Sequence, residues 1–183
     1  MNAPLDIAAN RKARKWTRRE QLGRVLWGLA QPAFRCSPRI CWGWRRRLLR
    51  WFGARVGSNV QIHPRVRIEI PWNLDLGDWS AIGFDAVVYN LGIVRIGQRV
   101  TVSHRAHLCA GTHDFRDPAL PLQKPPITIH DDVWVCADAF VGPGVEVGAG
   151  AVIGARAVVV HDVEAWAIVA GNPAVKKGQR VMP

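Results

Sequence analysis

Ile129-His-Asp-Asp-Val-Trp-Val135-Cys-Ala-Asp-Ala-Phe-Val141-Gly-Pro-Gly-Val-Glu-Val147-Gly-Ala-Gly-Ala-Val-Ile153-Gly-Ala-Arg-Ala-Val-Val159 carries an aliphatic residue at every sixth position. Glycine follows it at Gly142, Gly148 and Gly154, and four residues after it the position is small or Val (Val133, Ala139, Val145, Ala151, Ala157, Val163). A six-residue period with this grammar marks a parallel β-helix, whose short strands turn at tight corners while each coil stacks on the next.

The same rhythm runs back towards the N-terminus through Ile96, Val102 and Leu108, then Leu76, Ile82 and Val88, then Val56, Ile62 and Ile68. All fifteen positions are Val, Ile or Leu, although these types make up about a quarter of the chain. Taken in threes they predict about five triangular coils over residues 56–163. Two extra residues separate Ile68 from Leu76 and Val88 from Ile96, and a gap of twenty-one residues separates Leu108 from Ile129. Each break follows the third face of its coil, so the breaks stack along one edge at the strand spacing of about 4.7–4.9 Å. Trp72, Asn90 and the loop carrying His113 should share that edge. Pro121, Pro125 and Pro126 hold the 110–126 loop out of the sheets, because proline cannot donate to a ladder. A long loop in a compact domain with a His at its root, beside a stacked Asn, marks a candidate reaction centre.

The charge is divided unevenly. Residues 1–55 hold fourteen Lys/Arg against Asp6 and Glu20, whereas the remaining residues hold eleven Lys/Arg and twelve acids. The net charge of +11 therefore belongs to an N-terminal arm and not to the β-helix, and it gives no argument for a nucleic-acid partner. Residues 1–15 read as a disordered basic N-terminus. Residues 16–55 read as a helical Trp/Arg-rich arm and cap, with one helix over 16–31 whose Leu22, Val25, Leu26 and Leu29 share a side, and a second over 39–52. An open first coil needs such a cap. The same arm, through Arg45, Arg46, Arg47, Arg50, Trp42, Trp44 and Trp51, has the composition of a segment resting on an anionic membrane. Residues 164–183 form a closing segment and basic tail. No signal peptide and no membrane-spanning run is read, which suggests a cytoplasmic protein, peripheral at the inner face of the membrane. Cys36, Cys41, Cys109 and Cys136 form no C-x-x-C pair and are expected as reduced thiols.

The hexapeptides, Gly111-Thr-His-Asp114, Val133-Trp-Val-Cys-Ala137 and Ala170-Gly-Asn-Pro-Ala174 resemble the hexapeptide-repeat acyltransferases of the galactoside and maltose O-acetyltransferase type. Pro71-Trp72, Leu74-Asp-Leu-Gly-Asp78 and the Trp/Arg-rich arm resemble the colanic acid biosynthesis acetyltransferases within that group. The resemblance covers roughly residues 30–175. It implies a left-handed β-helix, a homotrimer with sites between prisms, acetyl-CoA as co-substrate, and a sugar or glycan acceptor in extracellular polysaccharide synthesis. Residue by residue it implies His113 as catalytic base, Asn90 as a substrate contact, Trp134 lining the donor pocket, and Ala137 and Ala155 meeting the pantetheine arm. Lys176, Lys177 and Arg180 stand where the family grips the CoA phosphates.

Imidazole suits this chemistry, since its ordinary pKa near 6.5 lets it take a proton from a hydroxyl that attacks the thioester. A backbone N–H would meet the developing oxyanion. Asp114 is a candidate to orient His113 or to bind sugar hydroxyls. The thioester is already activated, so transfer needs no covalent intermediate, and Cys109 reads as packing. Two other classes make different demands on these residues. A metal-dependent lyase of the β-helix carbonic anhydrase type needs three convergent ligands; His104 and His107, three apart, should diverge on a strand, so no metal is expected. A non-catalytic trimeric scaffold would bind no CoA.

Overall fold

A computed structural model describes residues 4–182. All fifteen periodic aliphatics are buried, stacked inside a three-sided left-handed β-helix. The first face is built from Arg55–Val56, Leu74–Leu76, Val94–Ile96, Ile127–Ile129 and Glu146–Val147, all parallel. The second runs through Gln61–Ile62, Ala81–Ile82, Thr101–Val102, Trp134–Val135, Val152–Ile153 and Ala167–Ala170. The third holds Arg67–Ile68, Val87–Tyr89, His107–Cys109, Phe140–Val141 and Val158–Val159. The register pairs each aliphatic with its equivalent one coil away, as in Ile62↔Ile82 and Ile82↔Val102. Val163 bridges to Val147 and Ala167–Ala170 adds a strand, so the helix has the five complete coils the period predicts and part of a sixth.

Three residues after the aliphatic the chain turns through positive φ, at Asn59, Trp79, Asp85, Arg99, Arg105, Asp132, Asp138 and Arg156. Corner side chains pair between coils: Arg105–Asp138 and Arg99–Asp132 at 2.6 Å each, and Asp85 with Arg65 of the preceding coil at 2.6 Å.

The residue after each aliphatic donates its N–H to the following coil, as in Gly57 N to Leu76 O at 2.8 Å and Gly77 N to Ile96 O at 2.7 Å, while the corners donate back, as in Trp79 N to Ser58 O at 3.0 Å. The Val56, Val60, Ile62 and Ile68 carbonyls of the first coil consequently have no preceding coil to donate to them, and unpaired buried carbonyls are costly. The arm supplies the donors, one set per face. Arg50 donates to the Val56 carbonyl at 2.6 Å. Arg46 reaches the Val60 carbonyl at 2.9 Å and Arg45 the Ile62 carbonyl at 2.6 Å. The Trp27 indole N–H reaches the Ile68 carbonyl at 2.8 Å. Here the structure corrects the expectation that Arg45, Arg46 and Arg50 extend to headgroups: all three turn inward to cap the prism, and only Arg47 among the four is left facing solvent without such a bond.

Helix α1 spans Ile7–Lys12, α2 Arg18–Arg35 and α3 Trp42–Trp51. Helix α1 corrects the expected disorder within residues 4–15; Met1–Ala3, like Pro183, fall outside the described residues. Helix α2 begins at a capping box, Thr17 with Glu20, and continues past Pro32, the expected stop, to Arg35. Its Leu22, Val25, Leu26 and Leu29 are exposed, while Trp27 and Phe34 enter the core. The helix has two apolar sides, and the side with an N–H to offer the open coil packs inward. Trp27 lies edge-on to Phe34 and Phe52 at 5.9 and 5.2 Å. At the other end Val175–Gln179 turns back antiparallel on Ala167–Ala170.

Candidate active site

Trp72, Asn90 and the His113 loop share the edge between the third and first faces. Gly92 N bonds the Ala110 carbonyl at 2.7 Å, and a Cβ on Gly92 would meet the Lys124 carbonyl at 2.4 Å. Within the loop, Thr112–His113 pairs antiparallel with Leu122–Gln123, so His113 stands on a short hairpin and is exposed. Its Nδ1 lies 2.6 Å from the Leu120 carbonyl oxygen. A carbonyl only accepts, so Nδ1 carries the proton and Nε2 of the neutral ring keeps its lone pair, the form a general base requires. Leu120 has φ +46, a left-handed conformation that costs a branched L-residue about 1–2 kcal/mol. Leu120 N bonds the Asp117 carbonyl at 2.8 Å, and Asp117 Oδ1 accepts from Ala119 N at 2.8 Å, which holds the turn in place.

Asp114 does not orient His113. Its Oδ1 accepts from Arg116 N at 3.0 Å and its Oδ2 from Gln123 Nε2 at 3.4 Å. Asn90 also departs from expectation. It is buried, with Oδ1 accepting from Ile70 N at 2.9 Å and Nδ2 donating to the Ile70 carbonyl at 2.6 Å, so both polar ends tie one coil to the previous one and none is offered to a substrate. A stacked Asn on the right edge reads the same in sequence whether it faces a ligand or the backbone below. Sequence reasoning missed Leu120 altogether, since a backbone carbonyl leaves no residue-type signal.

Cys109 is half-buried, with Sγ 3.4 Å from the Gly111 carbonyl, and burial pushes its thiol pKa up, which fits packing and not nucleophilic attack. His104 stacks on Phe84 at 4.8 Å, while His107 lies edge-on to Tyr89 and Phe140 at 6.4 and 5.4 Å. The two rings occupy different surroundings, as their spacing predicts. Burial lowers the His107 pKa, and its buried Nε2 has no hydrogen-bond partner among the described residues.

The residues expected on the donor side lie elsewhere. Ala137 and Ala155 stack at the edge between the second and third faces, where Arg156 N bonds the Ala137 carbonyl at 2.9 Å. Trp134 stands half-exposed on the second face with its indole N–H on Ser103 Oγ at 3.0 Å. A full face separates these residues from His113, about 20 Å for six residues at 3.3 Å each. One chain therefore does not bring the base and the donor residues together. In the tail, Lys176 pairs with Glu164 at 2.6 Å, and Arg180 donates to the Asp132 and Gly150 carbonyls at 2.8 and 3.2 Å. Lys177 is exposed and, among the described residues, has no carboxylate partner.

Residues 126–161 match the bacterial transferase hexapeptide (six repeats) family. The chain is 41% identical over 158 residues to WcaF of Escherichia coli K12, assigned as a colanic acid biosynthesis acetyltransferase, covering 86% of this chain and 87% of that one. Among solved structures, a galactoside acetyltransferase in complex with coenzyme A superposes with a TM-score of 0.83 at 23% identity, covering 97% of this chain and 92% of that one. A hexapeptide-repeat acetyltransferase from Vibrio cholerae complexed with acetyl coenzyme A superposes with a TM-score of 0.82 at 24% identity, covering 91% of each chain.

Proposed function

The chain belongs to the hexapeptide-repeat acetyltransferases, and on that premise we propose that it moves an acetyl group from acetyl-CoA to a hydroxyl of a sugar or glycan, with His113 as general base. The observation that carries this reading is the His113 Nδ1–H bond to the Leu120 carbonyl, which leaves Nε2 as the free base on an exposed loop. Nε2 takes the hydroxyl proton as the sugar oxygen attacks the thioester carbonyl. The tetrahedral intermediate collapses to the acetyl ester, and the departing thiolate recovers the proton from the imidazolium. The atoms balance without a protein nucleophile, in keeping with the raised pKa of Cys109.

The separation of His113 from Trp134, Ala137 and Ala155 supports a homotrimer in which one protomer's loop edge faces its neighbour's donor edge. Lys177 is the tail cation best placed to meet a CoA phosphate, because Arg180 is tied to backbone carbonyls and Lys176 to Glu164. Asp114, on the same hairpin as His113, is the acidic side chain positioned to bind acceptor hydroxyls. The similarity to WcaF supports an acceptor in extracellular polysaccharide synthesis. No described helix is long and apolar enough to cross a membrane. We place the enzyme at the cytoplasmic face of the membrane, held there peripherally by its arm. Turnover of acetyl-CoA against a panel of methyl glycosides, with His113→Ala as control, tests the central reading; acetyl transfer that survives that substitution would overturn it.

A further inference from the structure

The Leu120 carbonyl that fixes His113 receives a second hydrogen bond, from the other end of the chain. Asn10, on α1, places Nδ2 2.7 Å from the Ala119 carbonyl and 2.7 Å from the Leu120 carbonyl. The orientation of that amide is dictated by its partners. Lys15 Nζ, which can only donate, lies 2.9 Å from Asn10 Oδ1, so the NH2 end must face the two carbonyls, which can only accept. Both lone pairs of the Leu120 oxygen are thereby used, one by His113 Nδ1 and one by Asn10 Nδ2.

Other contacts seat α1 on the same loop. Asp6 N bonds the Pro118 carbonyl at 2.8 Å. Lys124 Nζ donates to the Lys15 carbonyl at 3.0 Å and sits 3.5 Å over the Trp16 ring. The segment from Pro118 to Leu120 thus presents three successive carbonyls to α1, and the last of them lies in a left-handed turn that a leucine does not adopt unaided. A peripheral six-residue helix with no buried residue adds little to the core. Its polar groups converge instead on the turn that orients the base.

We propose that Asn10 is a positioning residue for His113, holding the Leu120 carbonyl where it locks the imidazole in its Nδ1–H tautomer. This rests on His113 being the base. With the amide present, the carbonyl points at Nδ1; with it removed, the 118–120 turn relaxes, and the ring samples the Nε2–H form, which has no lone pair for the acceptor hydroxyl.

The test compares full-length wild type, Asn10→Ala, Asn10→Asp and Asn10→Gln. Steady-state kinetics use acetyl-CoA with the best methyl glycoside of the panel, and nitrogen-15 NMR of His113 in mildly alkaline buffer reads the tautomer without any substrate. Asn10→Ala should lower kcat about 10- to 100-fold, the scale of a misplaced reacting group, with KM for acetyl-CoA unchanged. The Asp variant, the same shape without a donor, should fall at least as far, and the Gln variant should recover part of the loss. The His113 spectrum should move from Nδ1 protonation to a tautomer mixture in the Ala and Asp variants. Wild-type kcat in Asn10→Ala overturns the proposal. So does a lowered kcat with an unchanged tautomer signal, which would make α1 a stabilising segment only. His113→Ala, run beside them, separates this failure from that of the general-base reading, since that reading survives if His113→Ala is inactive while Asn10→Ala is not.

Discussion

Arg45 Nε donates to the Ile62 carbonyl at 2.6 Å from a fully buried position. The rest of its guanidinium reaches Ser37 Oγ and the Pro38 and Arg39 carbonyls at 2.6–2.8 Å, with no carboxylate in the set. Burial presses its pKa downwards, yet a guanidinium stays charged in a protein. A planar fork of donors meets this arrangement as no ammonium can. Arg45→Met should therefore strip the donor from the buried Ile62 carbonyl and from the part-buried Pro38 and Arg39 carbonyls, and cost about 3 kcal/mol. Arg45→Lys should recover little, and the exposed Arg47→Gln should be neutral. Urea unfolding of the three variants checks this; an Arg45→Lys midpoint equal to wild type would show that charge alone suffices.

His113→Ala should lower kcat about 10²–10⁴-fold, the range for losing a general base, with the β-helix intact by circular dichroism. Asp114→Asn should act differently. Since Asp114 bonds Arg116 and Gln123 and not the imidazole, its loss should raise acceptor KM and leave acetyl-CoA KM alone.

The repeat was legible because burial allows no substitute for an aliphatic at the centre of a coil: Val56 through Val159, every predicted interior residue is buried. The edge shared by Asn90 and His113 was legible for the same reason, since insertion length sets phase. Three features were hidden. Asn90 and Arg45 carry types that serve ligands or lipids on a surface, yet here they serve unpaired backbone, and only the stacking of coils shows which carbonyls lack a partner. Helix α2 offered two apolar sides, and periodicity favoured the leucines; the open coil favoured Trp27 because it brings an N–H. The orientation of His113 depends on Leu120, whose contribution is a main-chain oxygen.

Because His113 and Ala155 lie on different edges of one prism, variants inactive at one of these positions should complement each other across a protomer boundary. His113→Ala and Ala155→Trp, each inactive as a homotrimer, should regain activity when co-refolded. With random mixing, about a quarter of the sites combine an intact loop from one protomer with an intact donor edge from its neighbour. Activity near that fraction of wild type is expected. No recovery, with mixed trimers confirmed by mass spectrometry, would place the base and donor residues of a working site on one chain.

The membrane reading shifts from α3 to α2. Leu22, Val25, Leu26 and Leu29 stand 61, 61, 48 and 74% exposed along one side of α2, and Trp51 beside them is 66% exposed. Leu22, Leu26, Trp51 and Trp72 also line a cleft of ≈ 790 Å³ on the arm. Arg18, Arg19 and Arg47 are exposed around this stripe, so an apolar strip sits within a positive field, the pattern of a helix lying in an anionic interface. Each basic residue near such a surface is worth about 1 kcal/mol, enough with the leucines for reversible attachment. Vesicles of phosphatidylglycerol should sediment the protein at low salt, and phosphatidylcholine vesicles should not. Leu22→Ser/Leu26→Ser/Leu29→Ser should abolish sedimentation while leaving the unfolding midpoint close to wild type, because none of the three is buried in the core. Arg18→Gln/Arg19→Gln/Arg47→Gln should weaken it and flatten its salt dependence. Retention of binding by the serine variant would mean that charge alone attracts the arm. If the wild type fails to sediment with anionic vesicles at low salt, the stripe has another role, and capping the first coil is the arm's only function at this end of the prism.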